Sequence, residues 1–179
     1  EAGFYSMSLP KAWGGRELDF VTRGLIMEEI SKYDLGFAFS FRGLGEKFGA
    51  IINSHIPEDD KKKWIDRQLH EHIGGCFCLT EPAAGSDAKA IQATAYKDGD
   101  AWVINGSKRF ITNATNADYY NIFAWTDKTV SAGKGITAFL VEKGTPGLIP
   151  TEKEEAMGLQ LCDYSGVTLE NVRVPADHI

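Results

Sequence analysis

The chain has 179 residues, a mass of 19.7 kDa, a formal charge of −6 and 43% hydrophobic residues. That length accommodates one large domain or two small ones, and the balance of apolar and charged residues excludes disorder and fibrous repeats. The acidic balance lacks the electrostatic footprint of general nucleic-acid binding, and no apolar run reaches the roughly 18 residues of a membrane span. Residues 1–9 also lack the basic start and long apolar stretch of a signal peptide.

The first half, to about residue 72, reads as helical. Asp19 is suited to cap a helix running to about Lys32, with Val21, Leu25, Ile26, Ile30 and Tyr33 at the spacings of one buried face. A second apolar stretch, residues 35–52, is broken by Gly36, Gly43, Gly45 and Gly49, which points to close packing or an interrupted helix. A third helix starts at Pro57, a residue that suits a first helical position. Glu58, Asp59 and Asp60 then sit at the positive end of its dipole, and Trp64, Ile65 and Leu69 form its apolar face. Lysines 61–63 are read as a solvated helix face rather than a phosphate site.

The second half changes period. Residues 73–80, 90–97, 101–112, 119–126, 135–142 and 164–174 are rich in β-branched and aromatic residues, and several alternate, as Ile136, Ala138 and Leu140 do against Thr137, Phe139 and Val141. Turn signals are read as separating them, at Asp98-Gly99-Asp100, Asn105-Gly106, Gly133-Lys134-Gly135 and Thr145-Pro146-Gly147. No helical pattern of crossover length intervenes, so consecutive strands are expected to pair mainly antiparallel, as a barrel or sandwich. The fold class predicted is α+β, a helical N-terminal domain over 1–72 followed by a β-domain over 73–179.

Three cysteines stand at 76, 78 and 162, too few for a secreted disulfide framework, so a reducing compartment is the default. In a strand, Cys76 and Cys78 share one face and read as small buried hydrophobes, and no metal-ligand spacing accompanies them.

Two segments stand apart. Residues 80–87, Thr80-Glu81-Pro82-Ala83-Ala84-Gly85-Ser86-Asp87, follow a strand end, and backbone N–H groups in such a turn can form an anion nest to which Thr80 and Ser86 add hydroxyls. The plainer reading is a capped loop between two strands. Residues 108–113 carry Phe110 and Thr112 two positions apart, so their side chains share a strand face. An aromatic ring beside a hydroxyl can hold a planar heterocycle by its edge; ordinary strand alternation gives the same pattern.

Taken together and in order, residues 78–87, 104–113 and Met157-Gly158 with 167–175 resemble the signature blocks of the acyl-CoA dehydrogenase family of flavoproteins. Leu9-Pro10, Gly14-Gly15 and Glu28-Glu29-Ile30 resemble its helical domain, so the likeness is collinear over nearly the whole chain. The resemblance implies FAD beside the β-domain, with an acyl-CoA thioester next to it. The reaction implied is α,β-dehydrogenation, in which a base takes the α-proton and the β-hydrogen leaves as hydride to the flavin.

Carried over by position, the resemblance places Phe77, Leu79, Thr80, Ser86, Phe110, Ile111 and Thr112 in the cofactor site. Thr80 would donate to the pyrimidine edge, and Thr112 would hydrogen-bond near N5. Ser86 would lie between the FAD phosphate and CoA, which makes it a substrate-binding residue as well. Phe110 stands where a tryptophan is common, and Phe77 where a tyrosine is frequent. Gln160, Leu161, Cys162 and Tyr164 depart from the family pattern, which leaves the acyl head group open.

The family continues into a C-terminal helical domain that supplies the catalytic glutamate, much of the adenosine site and the oligomer core. That domain is absent from this sequence, so no catalytic base is assigned; Glu81 is read as a loop-holding residue. Electron-transfer flavoprotein or a similar acceptor, and a homo-oligomer at full length, are the partners implied. The compartment expected is cytoplasmic, or the mitochondrial matrix in a eukaryote. A related flavin oxidase, monooxygenase or desulfinase, and a non-catalytic FAD- or CoA-binding protein, are the alternatives.

Overall fold

A computed structural model describes residues 3–42, 51 and 58–176. The chain divides into two compact units, one of residues 1–75 with 156–162, the other of residues 76–155 with 163–179. The architecture is α+β, with helices in the first unit and a mainly antiparallel sheet in the second.

In the first unit, 3₁₀ turns at Phe4–Ser6 and Lys11–Trp13 lead into α1 (Phe20–Ser31), α2 (Leu35–Phe41) and α3 (Glu58–His70). Asp19 caps α1, its Oδ1 accepting from the Val21 and Thr22 N–H groups at 2.9 and 3.0 Å. Asp34 does the same for α2 through the Phe37 N–H at 2.6 Å. Gly36 sits at a close approach: a Cβ there would lie 3.1 Å from backbone atoms of Leu159 and Leu161, tighter than most real contacts. Trp64, Ile65 and Gln68 form the buried face of α3, and the Gln68 amide donates to the Tyr5 carbonyl at 3.0 Å.

Of the lysine run of α3, Lys62 and Lys63 are solvent-exposed while Lys61 is mostly covered; Lys61 pairs with Glu58 and Lys62 with Asp66. Pro57 and much of the 35–52 stretch fall outside the described residues. The α1 face expected to be buried is not: no residue of this helix is buried, and Val21, Leu25 and Tyr33 are exposed. Helical periodicity identifies which side is apolar but not whether anything covers it.

The second unit holds β1 (Gly75–Cys78), β2 (Thr94–Asp98), β3 (Ala101–Thr112), β4 (Tyr119–Trp125), β5 (Ile136–Glu142), β6 (Leu148–Lys153) and β7 (Tyr164–Pro175). Its order is β1-β4-β2-β3-β7-β6, with β5 on β4. The long β3–β7 pair runs antiparallel from Ala101↔Pro175 to Thr112↔Tyr164, and β2 meets β4 in parallel at Thr94↔Trp125. Ile104, Ile111, Tyr119, Tyr120, Ile122, Phe139, Val167 and Val172 are almost wholly buried and make the core.

The sheet departs from the sequence reading at β6 and at Asn105-Gly106, as well as at the β3 bulge described below. β6 was not predicted, because Pro150 and the polar Thr151, Glu152 and Lys153 mask its alternation; it lies at the end of the strand order, where proline is tolerated. Asn105-Gly106 is no hairpin turn but an irregularity inside β3, where the register shifts against β7 between Ile104 and Gly106. Gly106 has φ +153°, and a Cβ there would lie 2.6 Å from the Ala93 Cβ. The Asn105 amide donates to Asn171 Oδ1 at 3.1 Å and its carbonyl oxygen accepts from the Asn171 N–H at 2.8 Å, which binds the irregularity to β7.

Candidate functional site

The candidate residues sit on two segments that the fold brings side by side. β1 ends at Cys78, and the chain runs on through Leu79 and Thr80 to a tight turn closed by paired Glu81 and Ala84 backbone hydrogen bonds of 2.9 and 3.1 Å. The Arg109 N–H donates to the Thr80 carbonyl at 2.9 Å, which lays this strand end against β3.

β3 is bulged at this point, its register against β7 shifting between Lys108 and Ile111. Phe110 takes a left-handed φ of +56° within the bulge. The extra residue resets the alternation: Lys108 and Ile111 point into the core, while Arg109 and Phe110 both stay outside and Thr112 is half-buried. Beyond the bulge, Phe110 is exposed, Ile111 buried and Thr112 half-buried, the order that simple alternation expects. Thr80 stands opposite Arg109, three positions from Thr112, which is roughly 10 Å along a strand.

Phe77 is 41% exposed and packs its ring on Phe123 at 4.7 Å, between the buried Cys76 and Cys78. Leu79 and Thr80 are half-buried. The Arg109–Thr80 hydrogen bond thus sets Thr80 beside the β3 segment that carries Phe110 and Thr112, while Phe77 stands on the exposed face of β1 against Phe123 of β4. Ile111 is 1% exposed and belongs to the core. Ser86 lies on the exposed turn beyond Ala84, next to Asp87, whose carboxylate accepts the Lys89 N–H at 3.1 Å.

Beneath the junction lies a buried ion pair. Lys108 Nζ is 2.7 Å from Glu81 Oε1, with the two side chains 0% and 4% exposed. Lys108 also donates to the Phe123 carbonyl at 2.7 Å and more weakly to that of Leu79 at 3.4 Å. Glu81 accepts the Gln92 N–H at 2.5 Å and the Ala93 N–H at 3.0 Å. Burial pulls the Lys108 ammonium below its ordinary value, and the hydrogen bond and charge of Glu81 oppose the shift. Sequence reasoning saw Glu81 as a loop-holding residue but missed Lys108, because a single lysine in a strand gives no sign of being inside.

Two further groups frame the site. Arg109 forks onto Glu154 with bonds of 2.8 and 3.0 Å and lies 4.8 Å over the Phe110 ring. The Cys76 and Cys78 sulfurs are 3.5 Å apart, both buried, and desolvation first and the Cys78 neighbour second push the Cys76 thiol well above its ordinary value. A raised, buried thiol such as Cys76 has little thiolate to act as a nucleophile. Among the described residues, no group of three or more His, Cys, Asp and Glu side chains could hold a metal ion, and no helix is long and apolar enough to cross a membrane.

Two family models match, the acyl-CoA dehydrogenase N-terminal domain over residues 1–71 and the acyl-CoA dehydrogenase middle domain over residues 76–172. The chain belongs to the acyl-CoA dehydrogenase family. It is 38% identical over 177 residues to the human mitochondrial short-chain specific acyl-CoA dehydrogenase, covering 99% of this chain and 43% of that one. Among solved structures, butyryl-CoA dehydrogenase from Megasphaera elsdenii superposes with a TM-score of 0.86 at 35% identity, over 98% of this chain and 47% of that one. A glutaryl-CoA dehydrogenase from Mycobacterium smegmatis, solved in complex with FADH2, gives a TM-score of 0.86 at 33% identity, over 98% and 44% of the two chains. The chain thus spans less than half the length of each of these relatives.

Proposed function

We propose that the protein containing this chain catalyses FAD-dependent α,β-dehydrogenation of an acyl-CoA thioester, and that residues 73–179 are a β-domain forming one wall of the flavin cleft. The observation that carries the reading is the junction of β1 and β3, where the Arg109–Thr80 hydrogen bond lays two signature segments side by side. The residues present suit a flavin. The exposed rings of Phe77 and Phe110 offer apolar faces for a flat heterocycle, and the half-buried hydroxyls of Thr80 and Thr112 offer donors to its polar edge.

The flavin, when bound, supplies the hydride-accepting redox chemistry. The residues of this chain bind and orient it. Thr80 directs its hydroxyl to the pyrimidine edge and Thr112 directs its own to the N5 region. Leu79 and Phe77 exclude water from the ring, and the Ile111 side chain fills the core behind Thr112. Ser86, on its exposed turn, reaches the pyrophosphate and the CoA chain.

The α-proton needs a carboxylate base, and Glu81 does not supply it in this reading, being buried and committed to Lys108 and two backbone N–H groups. The base comes instead from the C-terminal helical domain expected beyond residue 179. An electron-transfer flavoprotein or similar acceptor takes the electrons on, and the full-length protein assembles as a homo-oligomer. The test is anaerobic flavin bleaching of the full-length protein with a panel of short, medium and branched acyl-CoA thioesters. At least one thioester should bleach the flavin rapidly. Failure of the whole panel, or bleaching abolished by Glu81→Gln but retained by Lys108→Met with FAD bound in both, contradicts the assignment of cofactor, substrate or base.

A further inference from the structure

We propose that the buried Lys108–Glu81 pair is a positioning device that sets the gap between the Thr80 and Phe110–Thr112 sides of the cleft, an inference that rests on the flavin reading above. An ammonium has three donors, and here the three acceptors come from three different segments: Glu81 of the turn, Phe123 of β4 and Leu79 at the end of β1. Glu81 extends the network to Gln92 and Ala93 at the approach to β2. One charge pair therefore joins the β1 end, the turn, β4 and the β2 approach to the β3 position directly before the bulge. The neighbouring residue, Arg109, donates to the Thr80 carbonyl, so the distance from Thr80 to the bulge is fixed from within the core and from the backbone together.

Stability alone does not call for such a pair. Desolvating two ions costs several kcal/mol each, and an apolar pair of similar volume is often neutral or stabilising. What an apolar pair lacks is direction. Hydrogen bonds from Lys108 fix where the Leu79 and Phe123 carbonyls point, whereas a methionine in its place would fill the space and leave the strand end free to shift. A binding constellation has to be held within roughly half an ångström of its productive geometry.

The test uses the full-length protein with Lys108→Met, Glu81→Gln and both together, at a temperature where far-ultraviolet circular dichroism shows the variants folded. FAD affinity is read by quenching of FAD fluorescence, the site's geometry by the visible flavin spectrum, and stability by thermal melting. Each single variant should bind FAD about tenfold or more weakly with a shifted flavin band. The double variant, which leaves no unpaired buried charge, should regain thermal stability but neither the affinity nor the spectrum. Unchanged affinity and spectrum in folded variants overturn the inference, as does affinity that follows thermal stability across all three. If the single variants do not fold, the double variant alone decides between these results. Absence of FAD uptake by the unsubstituted protein overturns the cleft reading and the inference together, which is distinct from normal uptake with indifferent variants.

Discussion

Removing one member of a buried ion pair leaves the other charge desolvated and unpaired, at a cost of about 3–5 kcal/mol. Lys108→Met and Glu81→Gln are each expected to lower stability toward that range, since both side chains are almost fully buried. Denaturant melts check this, and a loss below about 1 kcal/mol in both would mean that water reaches the pair. Arg109 and Glu154 behave differently because they are at the surface. The two hydrogen bonds from Arg109 hold the Glu154 carboxyl below the ordinary glutamate value, with the attraction of opposite charge adding to the effect. The folded state then binds that proton less tightly than the unfolded chain does. The contribution is therefore present above the unfolded value and disappears as pH falls through the depressed one. Arg109→Ala should move the Glu154 titration midpoint upward in a carboxyl-detected NMR titration, and an unmoved midpoint would show that the pair does not persist in solution.

At the scale of elements, the β3 irregularity at Gly106 makes a sharp prediction. A side chain there meets the Ala93 Cβ and Cα at 2.6 and 2.8 Å on a backbone with φ +153°. Gly106→Val is expected to destabilise by about 2 kcal/mol or more, through overpacking and backbone strain combined. A melt within about 0.5 kcal/mol of the unsubstituted chain would mean that the β2–β3 pair relaxes freely. The same region shows what sequence patterns carry and what they do not. Asp19 was legible as a cap because a helix start needs a side-chain acceptor at one place. β3 and β7 were legible because their apolar residues alternate over long runs. The Asn105-Gly106 irregularity was not, since the same dipeptide also favours a tight turn and only the partner strand decides between them. The bulge at Phe110 was not legible, because only the pairing with β7 reveals the extra residue, although Phe110, Ile111 and Thr112 still run exposed, buried and half-buried as alternation expects.

For the whole molecule, the helical unit exposes a broad apolar surface. Phe20 is 84% exposed, Val21 72%, Leu25 58%, Tyr33 92%, Leu35 57% and Phe37 54%, all on or beside α1 and α2. Large apolar side chains left exposed in this number favour association. These 179 residues in isolation are expected to self-associate and to bind an apolar dye, and a dye-silent monomer by light scattering at high concentration would contradict that. The family was legible in three collinear blocks because binding chemistry confines residue types at fixed positions. The buried partner of Glu81 was not, because the sequence does not show which strands become neighbours.

The central claim, that Thr80 and Thr112 serve one flavin cleft, is tested most directly by titrating FAD into the full-length protein and into its Thr80→Val, Thr112→Val double variant. Two lost hydrogen bonds at about 1 kcal/mol each should raise the FAD dissociation constant about thirtyfold while the fold survives, since both residues are only half-buried. Equal affinity in the two proteins would contradict the claim and remove these hydroxyls from the site.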